Sequence, residues 1–174
     1  MSADLRTPGN CAVTEPQSAA ARSESEIKQD GTVLGFDVGV RRIGVAVGSA
    51  IASGARALAV IDVHQDTPDW SAIDRLQQQW RPDGLVVGDP MTLDGGDQPI
   101  RQRAQAFACA LRTRYAVPVV LVDERSSSIE AAQRFAADRA QGRRRRRDAA
   151  ALDAIAAVVI VERWLAAPED AIIV

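Results

Sequence analysis

Residues 34–48 read LGFDVGVRRIGVAVG. Two short apolar runs, 32–37 and 43–48, flank a tight Gly-Val-Arg-Arg connection. Each run has the length of a strand, and so short a joint predicts an antiparallel hairpin. The first run ends on an acid, Asp37. A carboxylate at the end of a buried strand costs free energy unless a cation or hydrogen bonds compensate. An Asp that only caps the turn before Gly39 would look the same locally, so these residues alone leave both readings open.

Working outward, the chain alternates. Residues 57–63 predict a third strand, and Pro68 leads into a helix over about 70–80. A buried strand follows at 84–88, then a loop rich in Asp, Gly and Pro. Ile100, Ala104, Phe107, Ala108 and Leu111 mark one face of the next helix. Pro118 opens the strand PVVLV. Ser127 and Glu130 have the spacing of a capping box, and Asp148 is placed to cap a last helix reaching about Ala166. Three strands, then alternating helices and strands, predict an α/β fold: a mixed five-stranded sheet with helices on both faces. The expected organisation is a disordered N-terminal tail over 1–30, a single domain over 31–167 and a C-terminal tail over 168–174.

Two more acids stand in contexts like that of Asp37. Glu124 follows the run VPVVLVD, and Asp153 lies in RRRRRDAAALDAIAAVVIVERWL. Strand alternation sends Asp123 and Glu124 to opposite faces, so only one easily faces a shared site. Small residues around Asp153 let its helix approach the sheet closely. Carboxylates gathered from separate elements suit hard, oxygen-seeking cations such as Mg2+ or Mn2+. Asp89, ending the strand at 84–88, reads more readily as a loop Asp bonding local amides than as a further metal contact.

Charge narrows the partners. The formal net charge is −2, so the whole chain is no basic nucleic-acid binder. The local field differs, because Arg143, Arg144, Arg145, Arg146 and Arg147 form one block just before the Asp153 helix. Such a block is commonly a solvated face. Beside an acidic metal site it suits a phosphate backbone, with Arg41, Arg42 and Arg125 as further contacts. A single His64 argues against histidine metal clusters and a histidine base. Two cysteines cannot make a disulfide framework. Cys109 projects away from the apolar face of its helix, so it is either a surface thiol or one covered by a neighbouring loop, or it marks a self-association face for a homodimer. No apolar run is long enough for a membrane span, and the N-terminus lacks a signal-peptide core, so a cytoplasmic location is expected.

DVGVRRIGVAV (37–47), GDPMTLDG (88–95), PVVLVDERSSSIEA (118–131) and LDAIAAVVIVERWL (152–165) together resemble the YqgF/RuvX family of Holliday-junction resolvases and pre-16S ribosomal RNA maturation nucleases. The resemblance covers about 33–165 and rests on four motifs in order. It implies an RNase H-like fold, with Asp37, Glu124 and Asp153 at catalytic, metal-binding positions. It also implies two Mg2+ or Mn2+ ions in phosphodiester hydrolysis, leaving a 5′-phosphate and a 3′-hydroxyl. The chain departs from the family in three places. Ser49 stands where an Asp is usual. Gly88-Asp89-Pro90-Met91-Thr92 replaces Gly-Leu-Pro-Leu-Asn, and Ser126-Ser127-Ser128 replaces Leu-Thr-Thr or Leu-Ser-Thr. The expected activity is 5′-end processing of pre-16S rRNA, with cleavage of branched DNA at Holliday junctions as the alternative. An actin-like ATPase would share Asp37-Val38-Gly39 but needs a second domain. A catalytically silent nucleic-acid-binding module would have no use for three acids.

Overall fold

A computed structural model describes residues 26–28, 30–52, 54–91, 98–124, 127–141 and 149–174. Strands β1 (Thr32–Val38) and β2 (Arg42–Ser49) form the expected hairpin, with Asp37 opposite Gly44. Gly39 N–H donates to Arg42 O at 2.9 Å and closes the turn. β3 (Gly54–His64) pairs antiparallel with β2 and is longer than 57–63. It continues through Gln65 and Asp66, both at left-handed φ (49° and 62°), into β4 (Thr67–Pro68). Two left-handed residues in a two-residue loop are the type I′ pattern, whose twist matches paired strands.

Asp69 then caps helix α1 (Trp70–Trp80), its Oδ1 accepting from Ser71 N at 3.0 Å and Ala72 N at 3.2 Å. β5 (Gly84–Asp89) lies parallel to β1. Helix α2 (Pro99–Tyr115) crosses over to β6 (Val119–Asp123), parallel to β5. Helices α3 (Ser127–Ala140) and α4 (Ala149–Ala166) follow. A 3-10 turn (Pro168–Asp170) leads to β7 (Ile172–Ile173), antiparallel to β6.

The sheet order is β4-β3-β2-β1-β5-β6-β7. The fold is therefore a mixed α/β sheet with helices on both faces, but with seven strands instead of the five expected. Both extra strands are two-residue edges, too short to show any alternation in sequence. β7 exists because β6 offers an open edge to the chain end. The stretch 168–174, expected as a tail, thus closes that edge, and Val174 is buried. At the other end, Ile27 is buried over Gly84, where a Cβ would collide with it. Ordered packing begins inside the stretch assigned to the tail.

Alternation divides the core in two. Leu34, Phe36, Val38, Ile43, Val45 and Leu85 face α1 and α2. Val33, Ala46, Val86, Val120 and Val122 face α4, meeting Ala157, Ile160, Val161 and Trp164. α4 is apolar nearly all round because α3 covers its outer side, through Ala131 and Phe135 against Ile155 and Ala156. Cys109 is half-buried against the α1/α2 core and is disulfide-bonded, so no exposed free thiol stands there. The reason is that α2 packs over more than the one face its strongest apolar residues mark. Among the described residues, no helix is long and apolar enough to cross a membrane.

Candidate active site

The carboxyl ends of β1, β5 and β6 meet under the N-terminal half of α4. Asp37 is the penultimate residue of β1, and Glu124 is the first residue beyond β6. Both continue the alternation that faces α4, after Val33 on β1 and after Val120 and Val122 on β6. Asp153 comes down from α4 itself. Gly44 makes this approach feasible, since a Cβ there would run into the Asp153 carbonyl. Gly88 on the intervening β5 does the same for Glu124. A Cβ at 88 would occupy the place of Glu124 Oε2, so the bare backbone lets Glu124 reach across β5 to Asp37.

The Asp37 and Glu124 carboxyls lie close enough to act on one another's ionisation. Both carboxyls are raised. Asp37 moves up to about 6 through burial first and then the nearby Asp153 charge, with the Glu124 hydrogen bond opposing. Glu124 is pushed up to about 9 by burial, then by the Asp37 charge, the hydrogen bond to Asp37 and the Asp89 charge, with Arg163 opposing. Asp153 is also raised by burial, and Arg42 offsets part of this. Arg42 Nε lies 2.9 Å from Asp153 Oδ2. The contact is an ion pair without hydrogen-bond geometry, for Asp153 Oδ2 and Glu124 Oε2 are both buried oxygens that accept no hydrogen bond.

The donors suit a hard divalent cation in kind: carboxylate oxygens from three elements, Glu124 Oε2 buried without a hydrogen bond and Asp153 Oδ2 buried with only the Arg42 ion pair. Among the described residues, however, no group of His, Cys, Asp or Glu stands arranged around a common point to hold an ion. Asp37 and Glu124 instead act on one another's ionisation as neighbouring buried carboxyls.

The structure thus brings Asp37, Glu124 and Asp153 together and adds Arg42 as a partner of Asp153. Arg41 is exposed on the β1–β2 turn beside them. Arg125 and residues 143–147 lie outside the described residues. Ser49, at the far end of β2 and paired with Thr32, is at the opposite edge of the strand from Asp37. Sequence reasoning missed three contributors. Gly44 and Gly88 clear the approach paths; their signal was glycine at alternate positions on one strand face. The third is Asp89, which is no loop residue bonding local amides through its side chain. It is buried and held by Arg101, Nε to Oδ1 at 2.9 Å and Nη2 to Oδ2 at 3.1 Å.

A mixed sheet with acids at its parallel strand ends, closed by an apolar helix carrying a third acid, defines a mixed α/β protein with an acidic site. The chain belongs to the RuvX family, whose model, described as "Holliday junction resolvase", matches residues 31–167. It is 74% identical over 145 residues to the "Putative pre-16S rRNA nuclease" of Xanthomonas axonopodis pv. citri (strain 306), covering 83% of this chain and 94% of that protein. A relative of the same name from Xanthomonas campestris pv. campestris (strain B100) is 72% identical with the same coverage. Among solved structures, Thermus thermophilus RuvC in complex with a Holliday junction substrate overlaps 82% of this chain and 99% of its own, at 17% identity and a TM-score of 0.49.

Proposed function

We propose that this protein is an endonuclease that hydrolyses phosphodiester bonds, with the 5′ end of pre-16S rRNA as its substrate. The observation carrying this reading is the convergence of Asp37, Glu124 and Asp153 from β1, the end of β6 and α4, with Glu124 Oε2 buried without a hydrogen bond. The rRNA substrate is taken from the named relatives, which align over most of their length. The family description favours a second substrate, the four-way DNA junction.

In this reading Asp37, Glu124 and Asp153 would hold Mg2+ or Mn2+, which would supply activation of water and stabilisation of the departing oxygen. A bound cation would favour the ionised forms of Asp37 and Glu124, against the burial that raises both carboxyls. Arg42 balances Asp153 and stands beside the path of a scissile phosphate, with Arg41 exposed on the same turn. Arg125 and the block at 143–147 would add backbone contacts that strengthen binding without reading sequence. No protein nucleophile is needed, and the product carries a 5′-phosphate.

Purified protein should be offered, with Mn2+ or Mg2+, an RNA spanning the 5′ boundary of precursor 16S rRNA and a four-way DNA junction of matched length. Cleavage of the RNA alone supports the first reading. Cleavage of the junction alone moves the assignment to DNA resolution, and no cleavage of either removes the nuclease reading.

A further inference from the structure

At the end of β5 this chain buries a charge. Asp89 is 1% exposed and is the buried charged residue among those described. A buried carboxylate is tolerated only with compensation, and here Arg101 supplies a two-point ion pair. Arg101 lies in the first turn of α2. The pair therefore ties the end of β5 to the start of the helix on the face away from Asp37.

The Asp89 backbone points the other way in function. Its carbonyl accepts from Glu124 N–H at 3.2 Å, the hydrogen bond that seats Glu124 as it leaves β6. The same peptide unit is held on its other side by Arg163, whose Nη1 donates to Asp123 O at 3.0 Å. Met91 N–H also donates to Asp89 O, at 2.8 Å. Glu124 thus departs from a peptide clamped between β5 and α4, with Gly88 clearing its path to Asp37.

We propose that Asp89 and Arg101 form a positioning pair for Glu124. The ion pair fixes the Asp89 backbone, and the Asp89 carbonyl fixes the peptide from which Glu124 reaches the site. Asp89 is then a positioning residue for Glu124, its side chain lying with Arg101 on the α2 face of β5 and not on the face that carries Glu124. The inference deepens the nuclease reading and rests on it for its effect on cleavage, though not for its effect on the Glu124 backbone.

The test uses Arg101→Leu and the double variant Asp89→Leu/Arg101→Leu in the full chain. Amide hydrogen exchange is read at Glu124 and at Phe36 in the core of β1, and cleavage is read as kcat and KM with Mn2+. Arg101→Leu should speed exchange at Glu124 by about tenfold or more while leaving Phe36 unchanged. It should lower kcat by roughly 10–100-fold, the usual size for a residue supporting a ligand, with KM for nucleic acid little altered. The double variant, with apolar contact in place of the ion pair, should recover most of both losses. Unchanged exchange at Glu124 in Arg101→Leu, or a double variant no better than the single one, overturns the proposal. A wild-type protein that cleaves nothing overturns the nuclease reading, and the exchange result still decides the positioning role.

Discussion

Glu124 shows how a single residue can set function against stability. Unfolded, its carboxyl is ionised above about pH 4.5, whereas in the fold it holds its proton up to about 9. A folded pKa above the unfolded one makes the folded state the better proton binder. Its contribution is therefore fully present below about 4.5 and is lost progressively as pH rises to about 9. Glu124→Gln removes this penalty without changing shape. In cation-free buffer the variant should melt at a higher temperature than wild type, with a gap that widens from pH 5 to pH 8. A gap constant with pH would refute the raised Glu124 carboxyl. Arg42 carries a related prediction. Its guanidinium opposes the upward shift of Asp153, so Arg42→Gln should move the Asp153 carboxyl titration, followed by NMR, to higher pH. An unmoved titration would dissolve the ion pair. The three acids were legible because each sits in a distinctive local context. The orientation of Arg42 was not, since nothing in the turn sequence says which of two adjacent arginines faces α4.

Helix α4 is placed by what the strands lack. Gly44 yields to the Asp153 backbone, while Gly35 and Gly48 yield to the Val161 side chain. Backbone cannot give way as a side-chain tip can, so Gly44→Ala should cost about 1–3 kcal/mol or more by overpacking. It should also lift Asp153 from the site. Urea unfolding measures the first effect, and a stability within 0.5 kcal/mol of wild type would contradict the close approach. Elsewhere the chain carries avoidable backbone cost. Ala116 ends α2 in the left-handed region at φ 50°, its N–H bonded to Arg112 O, and its side chain is exposed. Glycine takes that conformation freely, so Ala116→Gly should stabilise the protein by about 0.5–1 kcal/mol despite its flexibility when unfolded. At this scale the long elements were legible from period and punctuation, with α1 beginning and ending where expected. β4 and β7 were not, because two residues hold no period and their existence depends on open neighbouring edges.

The molecule as a whole is a sheet whose two faces do different work. The α1/α2 face is a conventional apolar core, and the α4 face carries the acids at one end and dense packing behind them. In reducing buffer, which opens the Cys109 disulfide, deleting residues 1–25 should leave the melting temperature unchanged, while Ile27→Ala in the full chain should cost about 2 kcal/mol through lost burial on Gly84. Equal effects of the two changes would mean that packing extends further upstream. The overall α/β layout was legible because alternating strands and helices admit few arrangements. The ion pair of Asp89 with Arg101 was not, since it joins two elements across a loop and leaves no periodic trace.

The central claim is that Asp37, Glu124 and Asp153 work as one cation-dependent phosphodiester-cleaving site. Single-turnover cleavage of an end-labelled RNA spanning the pre-16S 5′ boundary, with Mn2+, tests it most directly when Asp37→Asn, Glu124→Gln and Asp153→Asn are compared with wild type. The account predicts cleavage by wild type that chelation abolishes, and a loss of about a hundredfold or more in each variant, with RNA binding retained. Cleavage at the wild-type rate by any one of the three folded variants would contradict it.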